Sequence, residues 1–216
     1  VINYFTRRPR QDFGGLLRLT VGENGYNSAF FELGGFGNNK LKPEFQLLYK
    51  AGDGFRENND FTQLNGTFKL NYARSANHNT YLKVNINDEN TNATYTGLTE
   101  WSFSDSLAKE DYNGARFNPK EHDNFKIFRA AVDLIDTEQI SSTWTRISKL
   151  FVSYFDRRWW RENDIFISPR DLDDYLAGSQ PERQPYYISS DLVRVGDGES
   201  SLGILRTFYV AGLEQS

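Results

Sequence analysis

The strongest constraint in this chain is an alternation with a period of two residues. In the segment 80–88, Leu82, Val84 and Ile86 share one face, while Lys83, Asn85 and Asn87 share the other. The preceding segment, 60–75, sets Leu64, Phe68, Leu70 and Tyr72 against Gln63, Asn65, Thr67, Lys69 and Asn71. A strand apolar on one side and polar on the other must lie between two unlike environments. The polar stretch 73–79 between the two reads as a tight turn, so the pair forms a hairpin.

Further strands are expected at 13–22, 28–37, 43–52, 126–135, 143–155 and 202–214, which makes about eight. No stretch shows a 3.6-residue apolar period with caps, and one helical turn is expected within 170–178. The fold class is therefore all-β, an antiparallel up-and-down meander of about eight strands. Short polar links (37–42, 74–79 and 136–142) follow the second, fourth and sixth strands, and long ones (89–124 and 157–200) follow the fifth and seventh. Long loops are uncommon in compact soluble domains, whereas short turns alternating with long loops are the pattern of an outer-membrane barrel.

Hydropathy averages are compatible with that pattern. The mean hydropathy is -0.66 and no 18-residue apolar run occurs, so no membrane-spanning helix is encoded. A spanning strand needs only about ten residues, and every second one faces the lumen. Aromatic residues fall near expected strand ends: Tyr72 at a short-turn end, and Tyr49, Tyr154, Phe155, Trp159 and Trp160 at loop ends. That placement fits interfacial girdles, and equally the ordinary enrichment of aromatics in strands. A formal net charge of -4 argues against nucleic acid as a partner. The absence of cysteine excludes disulfides, thiolate nucleophiles and Cys-based zinc sites.

The opening stretch VINYFTRRPRQDFGG resembles the junction of TonB-dependent outer-membrane receptors, where a Gly-Gly-Val-Ile-Asn-hydrophobic-x-Thr-Arg pattern ends the plug and leads into the barrel; Val1, Ile2, Asn3, Thr6 and Arg7 match. The stretches 97–117 (GLTEWSFSDSLAKEDYNGARF) and 165–172 (IFISPRDL) are similar to loops of the ferric dicitrate group of that family. The resemblance implies the end of the plug domain and its hinge at 1–10, and at 11–216 the N-terminal part of a 22-stranded transmembrane β-barrel. It implies a Gram-negative outer-membrane location and active uptake of a ferric chelate such as ferric citrate or another siderophore. The implied partners are that solute, the TonB complex acting through the plug, and outer-membrane lipid and lipopolysaccharide. No enzymatic role and no resident cofactor are implied, because iron would arrive within its chelate as substrate.

Arginine suits an anionic chelate, since its planar fork pairs with carboxylates. Arg116 occupies the position of the family's Tyr-x-x-x-Arg stretch and is the first ligand-binding candidate, beside the reading as a solvated loop residue. Arg129 lies opposite in face to Phe128, Ala130 and Val132, hence toward the lumen, where pairing with Asp133 is expected. Arg157 and Arg158 border the aromatic cluster at the mouth, where they would attract anions, contact lipopolysaccharide phosphates or balance Asp156. His78 and His122 lack ligand spacing, and the acids of 170–175 do not follow the calcium-loop pattern, so no metal site is expected. Hydrolase and phosphate-loop signatures are absent.

The alternative is a soluble all-β carbohydrate-binding module, with Trp101, Trp159 and Trp160 as stacking platforms. A sandwich points its apolar strand faces at one shared core. A barrel turns an apolar band outward and a polar face inward.

Overall fold

The structure, a computed structural model, describes residues 6–92, 97–104, 116–185 and 191–216, the side chains of 200–204 excepted. Residues Val1, Ile2 and Asn3 of the junction pattern and most of the segment 97–117 lie wholly or partly outside the described residues.

Eight strands form one antiparallel sheet in sequential order: β1 (Gly14–Val21), β2 (Asn27–Gly34), β3 (Leu41–Gly52), β4 (Phe61–Ser75), β5 (His78–Thr91), β6 (Asn124–Gln139), β7 (Thr145–Ile167) and β8 (Val193–Gln215). The strand ends joined by the links 22–26, 53–60, 92–123 and 168–192 lie at one end of the sheet, and those joined by 35–40, 76–77 and 140–144 at the other. The first link closes on Asn24 and Gly25, both at positive φ (53° and 66°), the backbone that a two-residue hairpin turn needs to match strand twist.

Register aligns the two faces across the whole sheet. Phe45, Phe68, Val84, Val132, Val152 and Ala211 stand in one row, and along the opposite face Gln46, Thr67, Asn85, Ala131, Ser153 and Val210 stand in another. The apolar row is left open: Phe45, Leu47, Leu64, Ile86, Val132 and Val152 are all more than a third exposed. No second layer packs on this face among the described residues, which separates the fold from a sandwich; an open, sequentially ordered antiparallel sheet of this kind is consistent with a piece of a barrel. Tyr49, Tyr72, Tyr154 and Trp160 share the outer face, but register turns Phe155 and Trp159 inward, so the expected girdle loses two members.

The segment 6–13 crosses the polar face as a strap. Arg7 pairs with Glu32 (2.8 Å) and Glu44 (3.1 Å), Arg10 pairs with Glu32 (2.7 Å), and the Arg10 N–H donates to Glu44 (2.9 Å). Lys69 reaches Glu44 at 3.2 Å, and Gln46 donates to both carboxylates. Gly35, at φ 75°, lets the turn pass under the strap, because a Cβ there would collide with the Asp12 carbonyl.

At the loop end β7 and β8 run beyond the expected strand limits and carry a core of their own. Ile165, Ile167, Val193 and Val195 pack with Phe117 and with Leu172 of the short helix α2 (Leu172–Leu176); Trp101, of the helical turn α1 (Glu100–Phe103), and Tyr175 close its sides. The expected helical turn thus corresponds to Pro169–Asp171, a 3-10 turn, running into α2. The strand extensions are hidden from a period-two reading because Ile165, Phe166 and Ile167 are buried together, and burial on both faces removes alternation.

Several buried polar groups in this cap pair with one another. Glu162 accepts the His122 and Gly198 N–H groups, Asp123 accepts the Glu162 N–H, and Lys120 donates to the Glu162 carbonyl and pairs with Asp164. Burial first, and the Glu162 charge second, push the Tyr175 phenol up to about 12, while its hydroxyl donates to the Gly196 carbonyl at 3.0 Å. The folded cap holds the proton more tightly than an unfolded chain with the usual value near 10, so this stabilisation is complete below pH 10 and fades between about pH 10 and 12. Iodide quenching of Trp101, taken as the difference between the wild type and Trp101→Phe, is expected to rise across that window. Tyr175→Phe should flatten the rise, and a wild-type profile already flat would contradict the coupling.

Candidate functional site

Two arginine-bearing surfaces stand out, one at the mouth and one on the inner wall. At the mouth, an open cavity of about 760 Å³ lies between the turn 22–26, the link 53–60 and Arg116. Its walls are clamped by backbone recognition: Glu57 N–H donates to the Arg116 carbonyl (2.9 Å), Arg56 donates to the Phe117 carbonyl (2.7 Å), and Asn58 donates to the Asn118 carbonyl (2.7 Å). Arg116 is exposed, with its guanidinium 5.3 Å from the Phe55 ring centre and 3.5 Å from Asn24 Oδ1. Burial draws the Arg56 guanidinium below its usual pKa and the Glu57 charge opposes this; arginine stays charged under either influence. Two of the acids that line the cavity are engaged, Glu57 by the Asn118 N–H and Asp60 by the Asn92 side chain.

On the inner wall, Arg129 covers the Phe155 ring at 5.0 Å and Arg157 approaches the Phe125 ring at 5.9 Å. Arg129 does not form the expected pair with Asp133, because Asp133 lies directly across from Lys83 and meets it at 4.0 Å. Arg157 and Arg158 part company: alternation sends Arg158 to the outer face, where it pairs with Asp156 (3.2 Å), and this removes it from the polar face that Arg157 shares with Arg129. Register supplies a different neighbour. Arg206 of β8 stands directly opposite Arg157, so three arginines occupy adjoining positions on β6, β7 and β8. Directly opposed like charges destabilise a sheet unless something neutralises them, as an anion at this wall would.

Arg56 and Arg206 are the residues that sequence reasoning misses. Arg56 sits in a link with no periodic signal. Arg206 lies in a strand with Tyr209 and Leu213 on one face and Phe208 and Val210 on the other, so no polar face marks it.

Among the described residues no group of three or more His, Cys, Asp or Glu side chains is placed to hold a metal ion. His78 bonds Asp136 at 2.9 Å near a short turn, and His122 lies 3.4 Å from Glu121 at the loop end.

No family model matches the chain, and no curated protein matches it in sequence. Among solved structures, the crystal structure of the ferric citrate transporter FecA in the unliganded form is similar with a TM-score of 0.59, at 17% identity over 73% of this chain and 24% of that one. The likeness is one of fold, and the chain spans about a quarter of that transporter's length.

Proposed function

We propose that this chain forms the hinge, part of the wall and part of the mouth of a TonB-dependent outer-membrane receptor that takes up an anionic ferric chelate, ferric citrate or another siderophore. On this reading residues 1–10 end the plug, 11–216 belong to a 22-stranded barrel, and iron enters as cargo. The observation that carries the reading is the placement of Arg129, Arg157 and Arg206 together on the polar face of a sheet whose other face is apolar and open. Arg116 and Arg56 at the mouth would meet the chelate first, and the inner arginines would hold its carboxylates afterwards. Neither step calls for a protein ligand on the metal. The fold shared with a ferric citrate transporter supports the receptor architecture of this reading.

Equilibrium binding of labelled ferric citrate to the intact protein in outer-membrane vesicles tests this. Arg116→Ala is expected to weaken binding about tenfold, the scale of one charge-assisted hydrogen bond. Arg157→Gln should weaken it comparably while relieving the repulsion with Arg206. Absence of saturable binding by the wild type removes ferric citrate and sends the search to other chelates.

A further inference from the structure

A second cleft, of about 320 Å³, lies far from the mouth cavity, near the short-turn end of the polar face and under the strap. We infer that it is a site for a small carboxylate-bearing molecule, held by Arg8, Lys83 and Lys149 over a floor formed by Tyr81 and Phe151. The inference rests on the reading of the polar face as a lumen wall, and it adds a station that the mouth arginines do not supply.

Three features carry it. Arg8 of the strap lays its guanidinium on the Tyr81 ring, 4.0 Å from the ring centre. Stacking fixes the plane of the fork but uses none of its N–H donors, and among the described residues no carboxylate pairs with Arg8. This contrasts with Arg7 and Arg10 on either side, both tied to glutamates. A fixed, unspent fork is the geometry that accepts a carboxylate edge-on.

Charge points the same way. Lys83 and Lys149 line the cleft from β5 and β7, each with one acid near it, Asp133 at 4.0 Å and Glu214 at 2.8 Å. With Arg8 the surroundings hold three cations against two carboxylates, so one further negative charge completes the balance. The cleft's size matches the smaller end of small-molecule sites, and its mixture of an aromatic floor with few convergent polar groups is typical of them.

Accessibility of the cleft follows from the strap. Thr6 and Arg8 form its roof, and Lys83 reaches Thr6 at 3.5 Å. A solute moving from the mouth toward the short-turn end therefore meets this site last, beside the segment joined to the plug.

Lysine acylation, followed residue by residue in the intact detergent-solubilised protein, tests the site with iron-free citrate as probe. Lys83 and Lys149 are expected to react at least threefold more slowly in saturating citrate, normalised to Lys40, which is exposed on the 35–40 turn. Arg8→Gln should abolish the slowing. Unchanged rates in citrate overturn the inference, as does equal slowing by sulfate at matched ionic strength, which identifies unspecific anion screening. The wild-type measurement decides the matter even if Arg8→Gln proves unstable. Arg116→Ala should leave the protection intact, so a failure of the mouth site and a failure of this one are told apart.

Discussion

Glu44→Ala is expected to lower the unfolding free energy of the intact protein by about 3–5 kcal/mol, the range for removing one partner of a buried ion pair. Glu44 has no solvent-exposed side-chain surface and Lys69 almost none. The carboxylate binds Lys69, Arg7, the Arg10 N–H and Gln46 together, so its loss strands a buried ammonium and releases the strap at once. Arg10→Gln removes a partly exposed cation instead and should cost about 1 kcal/mol or less. Glu44→Leu combined with Lys69→Met should recover much of the loss, because a well-packed apolar pair carries no desolvation cost. Urea midpoints read from the gel shift of folded barrel measure all three. A Glu44→Ala effect below about 1 kcal/mol would mean that the strap network is wet and weakly coupled.

The second large effect separates the two faces. Val132→Arg places a charge in the middle of the outer apolar row and should cost about 2–4 kcal/mol at the bilayer midplane. Ala131→Arg, one residue away, points to the polar face between Asn85 and Ser153 and should be nearly neutral. Measured by folding yield into lipid vesicles, this pair reads the environment of each face directly. Equal tolerance of both substitutions would mean that lipid does not cover the Val132 face, which would reopen the reading of a water-soluble sheet.

Strands such as β4 and β5 were legible because one side of each is apolar and the other polar, as in Leu82, Val84 and Ile86 against Lys83 and Asn85. Legibility failed wherever that contrast vanished. The upper parts of β7 and β8 are buried on both sides, so 157–167 and 193–201 read as loop. The loop–loop packing of Phe117 against Ile165 and Val193 joins residues far apart in sequence and leaves no local mark. The arginines divide in the same way. Alternation alone placed Arg129 on the inner face, but Arg157 was read only as a neighbour of the mouth aromatics, and partners depend on cross-strand register, which gave Asp133 to Lys83 and set Arg206 against Arg157. Adjacent charges such as Arg157 and Arg158 look like one feature in a sequence and are two on a sheet.

The private core of the β7–β8 hairpin also divides labour between the inside and the outside of the cap. Phe117, Ile165, Ile167, Leu172, Val193 and Val195 hold the hairpin upright from within, and exposed tip residues such as Arg170, Asp174 and Glu182 share little of that task. Sequence drift at the tip therefore leaves the scaffold intact. In the proposed setting, the skin shown to phages and antibodies can change its identity repeatedly while the wall beneath it keeps its shape.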